Sequence, residues 1–236
     1  KVRYKQTVLG AVWALLQPLG MMALFTFFLH PGEDGAVPYP LFAFSGLLAW
    51  MFFGNALGSA SQSVVANQNL VTKIYFPRII IPASAVGVGL VDFAVGSLLL
   101  AVLMAAYGTA PGWGLLLAPL MVLLLAVAAV GVGALLAALT VAYRDFRHVI
   151  PFLVQFWMFA TPSIYRPDGV GPAWRAWMPL NPAFGLILTF RWSVLGGTPD
   201  GYDLYALAVS ALTSVLLLLV GCLYFRRVER GFADII

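Results

Sequence analysis

Few side chains in this sequence can do covalent or proton chemistry, and those few stand apart. The two histidines are His30, at the end of an apolar run, and His148, in a polar loop, so no histidine pair is available to share a metal. No HExxH or GxSxG string occurs, and no pair of carboxylates lies within an apolar run. The chain has one cysteine, Cys222, which excludes an intrachain disulfide and a cysteine-cluster metal site. In its apolar setting Cys222 reads as a small buried hydrophobe. A GxxxxGK[ST] loop is also missing, so any dependence on ATP must come from another chain. The sequence therefore predicts a protein that is not an enzyme, with no metal and no cofactor of its own.

Three other groups remain. Asp92 is the one acid deep in an apolar run. It suits either a hydrogen bond between helices or an ion relay, and a relay normally needs a second ionisable group within reach. Tyr143, Arg144, Asp145 and Arg147 form a charged cluster in a short loop. They read as an ion-pair cluster fixing two helix ends, or as a phosphate site, because arginine suits bidentate phosphate contacts. Aromatic residues recur in the apolar runs, with Phe25, Trp50, Phe53, Phe152, Phe156, Trp157 and Phe159 as candidates to line a channel. Ring faces let a sugar chain slide past without a tight site, although the same rings equally serve helix packing.

The elements that must position these groups are membrane helices. Of the 236 residues, 62% are hydrophobic and 9% charged, and the mean hydropathy is +0.95. Ordinary soluble domains are roughly 45–50% apolar and about 25% charged, so soluble enzymes and nucleic-acid modules fit poorly. The net charge of +4 matters through its placement rather than its size, and no nucleic-acid partner is expected. About 20 apolar residues are needed to cross the hydrocarbon layer. Val8 to Leu29, Leu41 to Ala60, Pro82 to Tyr107, Leu115 to Ala142, Val149 to Tyr165 and Leu204 to Phe225 give six predicted spans, the fifth short and interrupted by Pro162. Ala183 to Leu195 is too short to cross and too apolar for an ordinary loop. It reads as a re-entrant segment, with a surface loop carrying an amphipathic helix as the alternative.

Six spans leave both termini on one side. That side carries Lys1, Arg3, Lys5, Lys73, Arg78, Arg144, Arg147, Arg226, Arg227 and Arg230, against Arg166, Arg175 and Arg191 on the other. The excess places both termini in the cytoplasm. The stretch containing Arg3, Tyr4 and Lys5 is consistent with an interfacial helix touching membrane lipids. Arg191 either snorkels to the interface or pairs with Asp168, Asp200 or Asp203. The expected fold is thus an all-α, multi-pass membrane protein with a single transmembrane domain over residues 1–236.

Five strings now form a pattern. They are YKQTVLGAVWALLQPL (Tyr4 to Leu19), NQNLVTKIYFPRIIIP (Asn67 to Pro82), YRDFRHVIPFLVQFWMFATPSIY (Tyr143 to Tyr165), LNPAFGLILTFRW (Leu180 to Trp192) and FRRVERGFADII at the end. In this order, with the intervening spans, the chain resembles the permease subunit of ABC transporters that export O-antigen, capsule or teichoic acid. The resemblance implies a homodimer of twelve spans in the bacterial inner membrane. It also implies two copies of a separate ATP-binding subunit that hold ATP and Mg, and a lipid-linked polysaccharide as cargo. The implied ATPase-coupling segment is Asn67, Asn69, Leu70, Lys73, Ile74, Tyr75, Phe76 and Arg78, with the second loop at Tyr143–Arg147 beside it. The external run between the last two spans is implied to form short re-entrant helices.

The residue types in the coupling segment have their own logic. The asparagines suit capping of a short helix, Ile74, Tyr75 and Phe76 suit an aromatic anchor in a socket, and Pro77 stops the helix. Two other functions compete. One is an ABC permease of this architecture for a drug or small lipid. The other, of a different class, is an ion-coupled secondary transporter, for which several intramembrane charges and an internal repeat would be expected; neither is visible.

Overall fold

The computed structural model describes residues 8–28, 37–73, 76–197 and 203–232, and every regular element among them is helical. Nine α-helices follow in order: α1 (Val8–Phe28), α2 (Tyr39–Ala66), α3 (Gln68–Lys73), α4 (Ile80–Ala106), α5 (Ala118–Ala142), α6 (Phe146–Phe159), α7 (Pro172–Arg175), α8 (Pro182–Leu195) and α9 (Leu204–Val228). Arg3, Tyr4 and Lys5, predicted as an interfacial helix, lie outside the described residues, as do His30, Ile74 and Tyr75.

Among the described residues four stretches are long and apolar enough to cross a membrane: Tyr39–Ala66, Ile80–Ala106, Trp113–Ala142 and Leu204–Gly231. They coincide with the second, third, fourth and sixth predicted spans, and α1 coincides with the first. The fifth is shorter than expected. α6 has 14 residues, about 21 Å at 1.5 Å per residue, against roughly 30 Å of hydrocarbon. The chain leaves the helix before Pro162, which has no N–H to continue the ladder and pushes the residue ahead of it away from helical geometry.

α2 is the interior helix. Leu41 to Trp50 are buried without a break. It is also the least apolar of the four long stretches, because its outward demand is met by protein rather than lipid. Its buried hydroxyls are satisfied within the helix: Ser45 donates to the Phe42 carbonyl at 3.0 Å and Ser63 to that of Ala60 at 2.7 Å. α5 packs between α2 and α9. Where α5 crosses α9 the two backbones touch: a Cβ on Gly221 would stand 2.0 Å from the Gly131 carbonyl oxygen. Small residues of this kind allow the close approach on which helix association in lipid depends.

The run Ala183 to Leu195 folds as α8, which is buried nearly all round, against α9, α5 and α2. It is therefore an interior helix, and the alternative of a surface loop with an amphipathic helix is set aside. Asn181 caps its start by accepting the Ala183 N–H at 3.0 Å, with Pro182 in the first turn. Gly196, in the left-handed region at φ 73°, ends it.

Two hydrophobic cores result. The larger surrounds α2, from Leu41 and Phe44 through Phe53 and Leu57, with Leu125, Leu186 and Phe190 against it. The smaller closes one end of the bundle, where Val64, Val71, Ile81, Val141, Phe225 and Phe232 meet. Lys73, Arg78, Arg144, Arg147, Arg226, Arg227 and Arg230 gather at that end, while Arg166, Arg175 and Arg191 belong to the segment at the opposite end.

Candidate functional site

The cation-rich end carries the predicted coupling segment. Asn67 is the hinge between α2 and α3. Its backbone carbonyl accepts the N–H groups of Leu70 at 2.9 Å and Val71 at 3.2 Å, starting α3. Its side chain reaches backward, donating to the Ser63 carbonyl at 2.8 Å, and so closes α2 rather than opening α3. The expected asparagine cap is thus made by the backbone. Of the α3 residues Gln68–Lys73 only Val71 turns inward, into the smaller core. Gln68, Asn69, Leu70, Thr72 and Lys73 are exposed. Phe76 is half-buried against the same core.

Arg78 ties this segment to the C-terminal tail. Its guanidinium donates to the Glu229 carbonyl and, at 3.5 Å, to the Val71 carbonyl. The tail closes the corner with Phe232, whose ring meets Phe225 edge-on at 5.3 Å. A polar cavity of about 460 Å³ lies here, lined by Phe76, Pro77, Arg78, Ile79, Arg226, Glu229 and Arg230. Sequence reasoning saw the tail only as part of a pattern and did not bring it to Arg78.

Tyr143, Arg144, Asp145 and Arg147 occupy the turn from α5 into α6 and are exposed. The expected ion-pair cluster is not formed: among the described residues no ion pair joins Arg144, Asp145 and Arg147. Tyr143 instead lies 6.2 Å from the Phe146 ring, and the three charges line a separate cavity.

The candidate channel aromatics of α2 and α6 divide into two sets. Trp50 and Phe53 are 3% and 0% exposed and belong to the core of the chain. α2 is interior, so both rings face neighbouring helices of the same chain. Trp157 joins them, 5.2 Å from Phe53 and 6.5 Å from Trp50. Phe152, Phe156 and Phe159 stand on the opposite, open face of α6, 65%, 73% and 53% exposed. Ile150, Val154, Trp157 and Met158 turn inward at helical spacing, so α6 is apolar on both faces but packed on one. Phe25 on α1 is half-buried, as is Asp92 on α4.

Arg191 departs most from expectation. It neither snorkels nor reaches the interface: it is fully buried. Its Nη2 donates to the carbonyls of Pro162 at 3.1 Å and Ser163 at 2.6 Å, in the turn that ends α6. The guanidinium lies 3.8 Å from the centroid of the Phe42 ring of α2. Asp203, one suggested partner, caps α9 by accepting the Ala206 N–H at 2.9 Å.

Asn181 makes a second junction beside it, accepting Trp157 Nε1–H at 2.9 Å and donating to Thr161 Oγ1 at 2.7 Å. The Asn-Pro pair opening an apolar run was the available signal for this cap. Asn181→Ala removes the cap and strands the Trp157 N–H, together costing about 2 kcal/mol. A melting temperature in detergent lowered by roughly 4–8 °C is the expected result.

Residues 1–195 match the family described as ABC-2 type transporter. A curated relative from Myxococcus xanthus, named O-antigen export system permease protein RfbA, is 31% identical over 238 residues, covering 99% of this chain and 90% of the relative. Two proteins of the same name from Klebsiella pneumoniae are 26% and 25% identical over 241 residues, each covering all of this chain and 91% of the relative. With most of its length matched in sequence and its long helices apolar enough to cross a membrane, the chain belongs to the ABC-2 type transporter family.

Proposed function

We propose that this chain is the membrane-spanning subunit of an ATP-driven exporter that moves a lipid-linked cell-surface polysaccharide of the O-antigen kind across the bacterial cytoplasmic membrane. The observation that carries this is the end-to-end similarity to permeases named for O-antigen export. Two copies of the chain form the translocation unit, and each engages one ATP-binding subunit through the exposed face of α3 and the adjoining second loop. The cation-rich end is cytoplasmic, as the positive-inside rule directs. α1 and α6 complete six crossings with the four long stretches, α6 being supplemented by the turn after it. α8 is held inside the outer half of the bundle as the re-entrant element. The open aromatic face of α6, with Phe152, Phe156 and Phe159, lines the path of the sugar chain between the two copies.

Physical logic links these parts. α3 presents Asn69, Leu70 and Lys73 outward while Val71 anchors it, so a partner pushing on α3 acts directly on the end of α2. The test is co-expression with the ATPase of the same operon. Wild type is expected to purify as a 2:2 complex that exports polymer in cells lacking the native permease. Leu70→Glu with Lys73→Glu is expected to lose the ATPase on purification while the permease itself still accumulates. A chain that exports polymer without any ATPase would overturn the proposal.

A further inference from the structure

The charges of the second loop do not pair with one another, and what they enclose is a cavity. It has a volume of about 420 Å³ and is lined by Val65, Gln68, Thr140, Val141, Arg144, Asp145, Arg147 and His148. Three elements meet there: the end of α2 with the start of α3, the end of α5, and the turn into α6. We propose that this cavity binds a phosphate-bearing headgroup.

Arg144 and Arg147 are three positions apart across the α5–α6 turn, and both line the cavity. Two arginines against one aspartate leave its lining formally cationic. Gln68 brings an amide from α3. A carboxylate is satisfied by a single guanidinium fork, whereas a phosphate or diphosphate offers acceptors in several directions and suits donors converging from separate elements. The space suffices for a diphosphate with several waters, a water occupying about 30 Å³. Val65 and Val141 add an apolar part to the wall, and the cavity lies where long apolar helices end. That is the level at which lipid phosphates meet basic side chains. Arg144 and Arg147 are both exposed, so these donors are open to a ligand.

Phosphates reach this level from three sources: a prenyl-type lipid diphosphate, a bilayer phospholipid, or the free anion. The experiment separates them. The purified chain in neutral detergent is titrated with farnesyl diphosphate, farnesol, short-chain phosphatidylglycerol and inorganic diphosphate, and binding is followed by thermophoresis. Saturable binding of at least one phosphate-bearing probe and none of farnesol is expected. Arg144→Gln with Arg147→Gln should weaken it at least tenfold. Arg227→Gln, an exposed cation at the same end outside this cavity, should leave it unchanged. Gln68→Ala keeps every charge and guards against a misfolded double variant; it should weaken binding about threefold. Preference for farnesyl diphosphate marks a substrate headgroup, equal binding of phosphatidylglycerol marks a bilayer lipid, and equal binding of diphosphate alone marks a free-anion site. Equal losses in the Arg227 variant, or binding that never saturates, would overturn the proposal. The readout is binding to the isolated chain, so it can fail or succeed whether or not the exporter reading holds.

Discussion

Arg191→Ala is expected to unfold the end of this bundle opposite the cation-rich one before the rest of it. The side chain is fully buried and its Nη2 serves two carbonyls, those of Pro162 and Ser163. Removing it leaves both acceptors without that donor, at about 1–3 kcal/mol each. It also ends the contact with the Phe42 ring, worth about 2 kcal/mol where water is excluded. Against this stands the cost of burying a charge, which the substitution relieves. The hydrogen-bonded carbonyls decide the sign, because alanine cannot replace the donor and leaves a cavity besides. A net loss of about 4 kcal/mol corresponds to a melting temperature roughly 8–16 °C lower. Arg191→Lys keeps a donor but not the flat group over the ring, and should recover about half.

Gly46 makes this a test of the joint rather than of one residue. A Cβ there would lie 2.0 Å from the Ser163 carbonyl oxygen and 2.1 Å from Arg191 Nη2. Gly46→Ala must therefore displace both partners of the joint and should cost several kcal/mol by itself. Because the two residues share one contact, the double variant should lose clearly less than the sum of the singles. Full additivity in melting temperature would show that α2, the turn after α6 and α8 are not fastened at this point.

The helices were legible in the sequence because hydropathy alone locates long apolar runs, and α2, α4, α5 and α9 lie where it places them. The joint was not legible. Arg191 sits in a run that is apolar all round, and a lone cation there is equally compatible with snorkelling or pairing. Only packing brings Phe42 and Ser163 to it from 149 and 28 positions away. The burial of Trp50 and Phe53 was not legible for a related reason: aromatic identity does not say which face of a helix is covered, and α2 is covered on nearly every face. The loop arginines were seen but their arrangement was not, since adjacency in sequence suggested pairing and the folded turn sets the charges around a cavity instead. α6 was mis-measured because the apolar composition continues past Phe159 while the backbone, facing Pro162, does not.

Arg78→Ala is expected to leave the bundle standing and to break its drive. Arg78 is half-buried at the cation-rich end, linking the carbonyl of Glu229 in the tail with that of Val71 in α3. Hydrogen bonds from a charged donor contribute about 1.5–3 kcal/mol. That is small beside the packing of α2, α5 and α9, but it is most of what fastens α3 to the tail besides Val71, Phe225 and Phe232 in the smaller core. Without it a push on α3 is absorbed by local movement before it reaches the end of α2 at Asn67. With the ATPase co-expressed, the complex should still form, because the outer face of α3 is unchanged. ATP hydrolysis should continue, and polymer export should fall at least tenfold, the effect of losing about 1.4 kcal/mol of coupling. Arg78→Lys keeps the charge but reaches one carbonyl, and should restore part of the export. A variant that exports at the wild-type rate would show that the tail and α3 act independently. One that loses the ATPase would place Arg78 in the docking face rather than behind it.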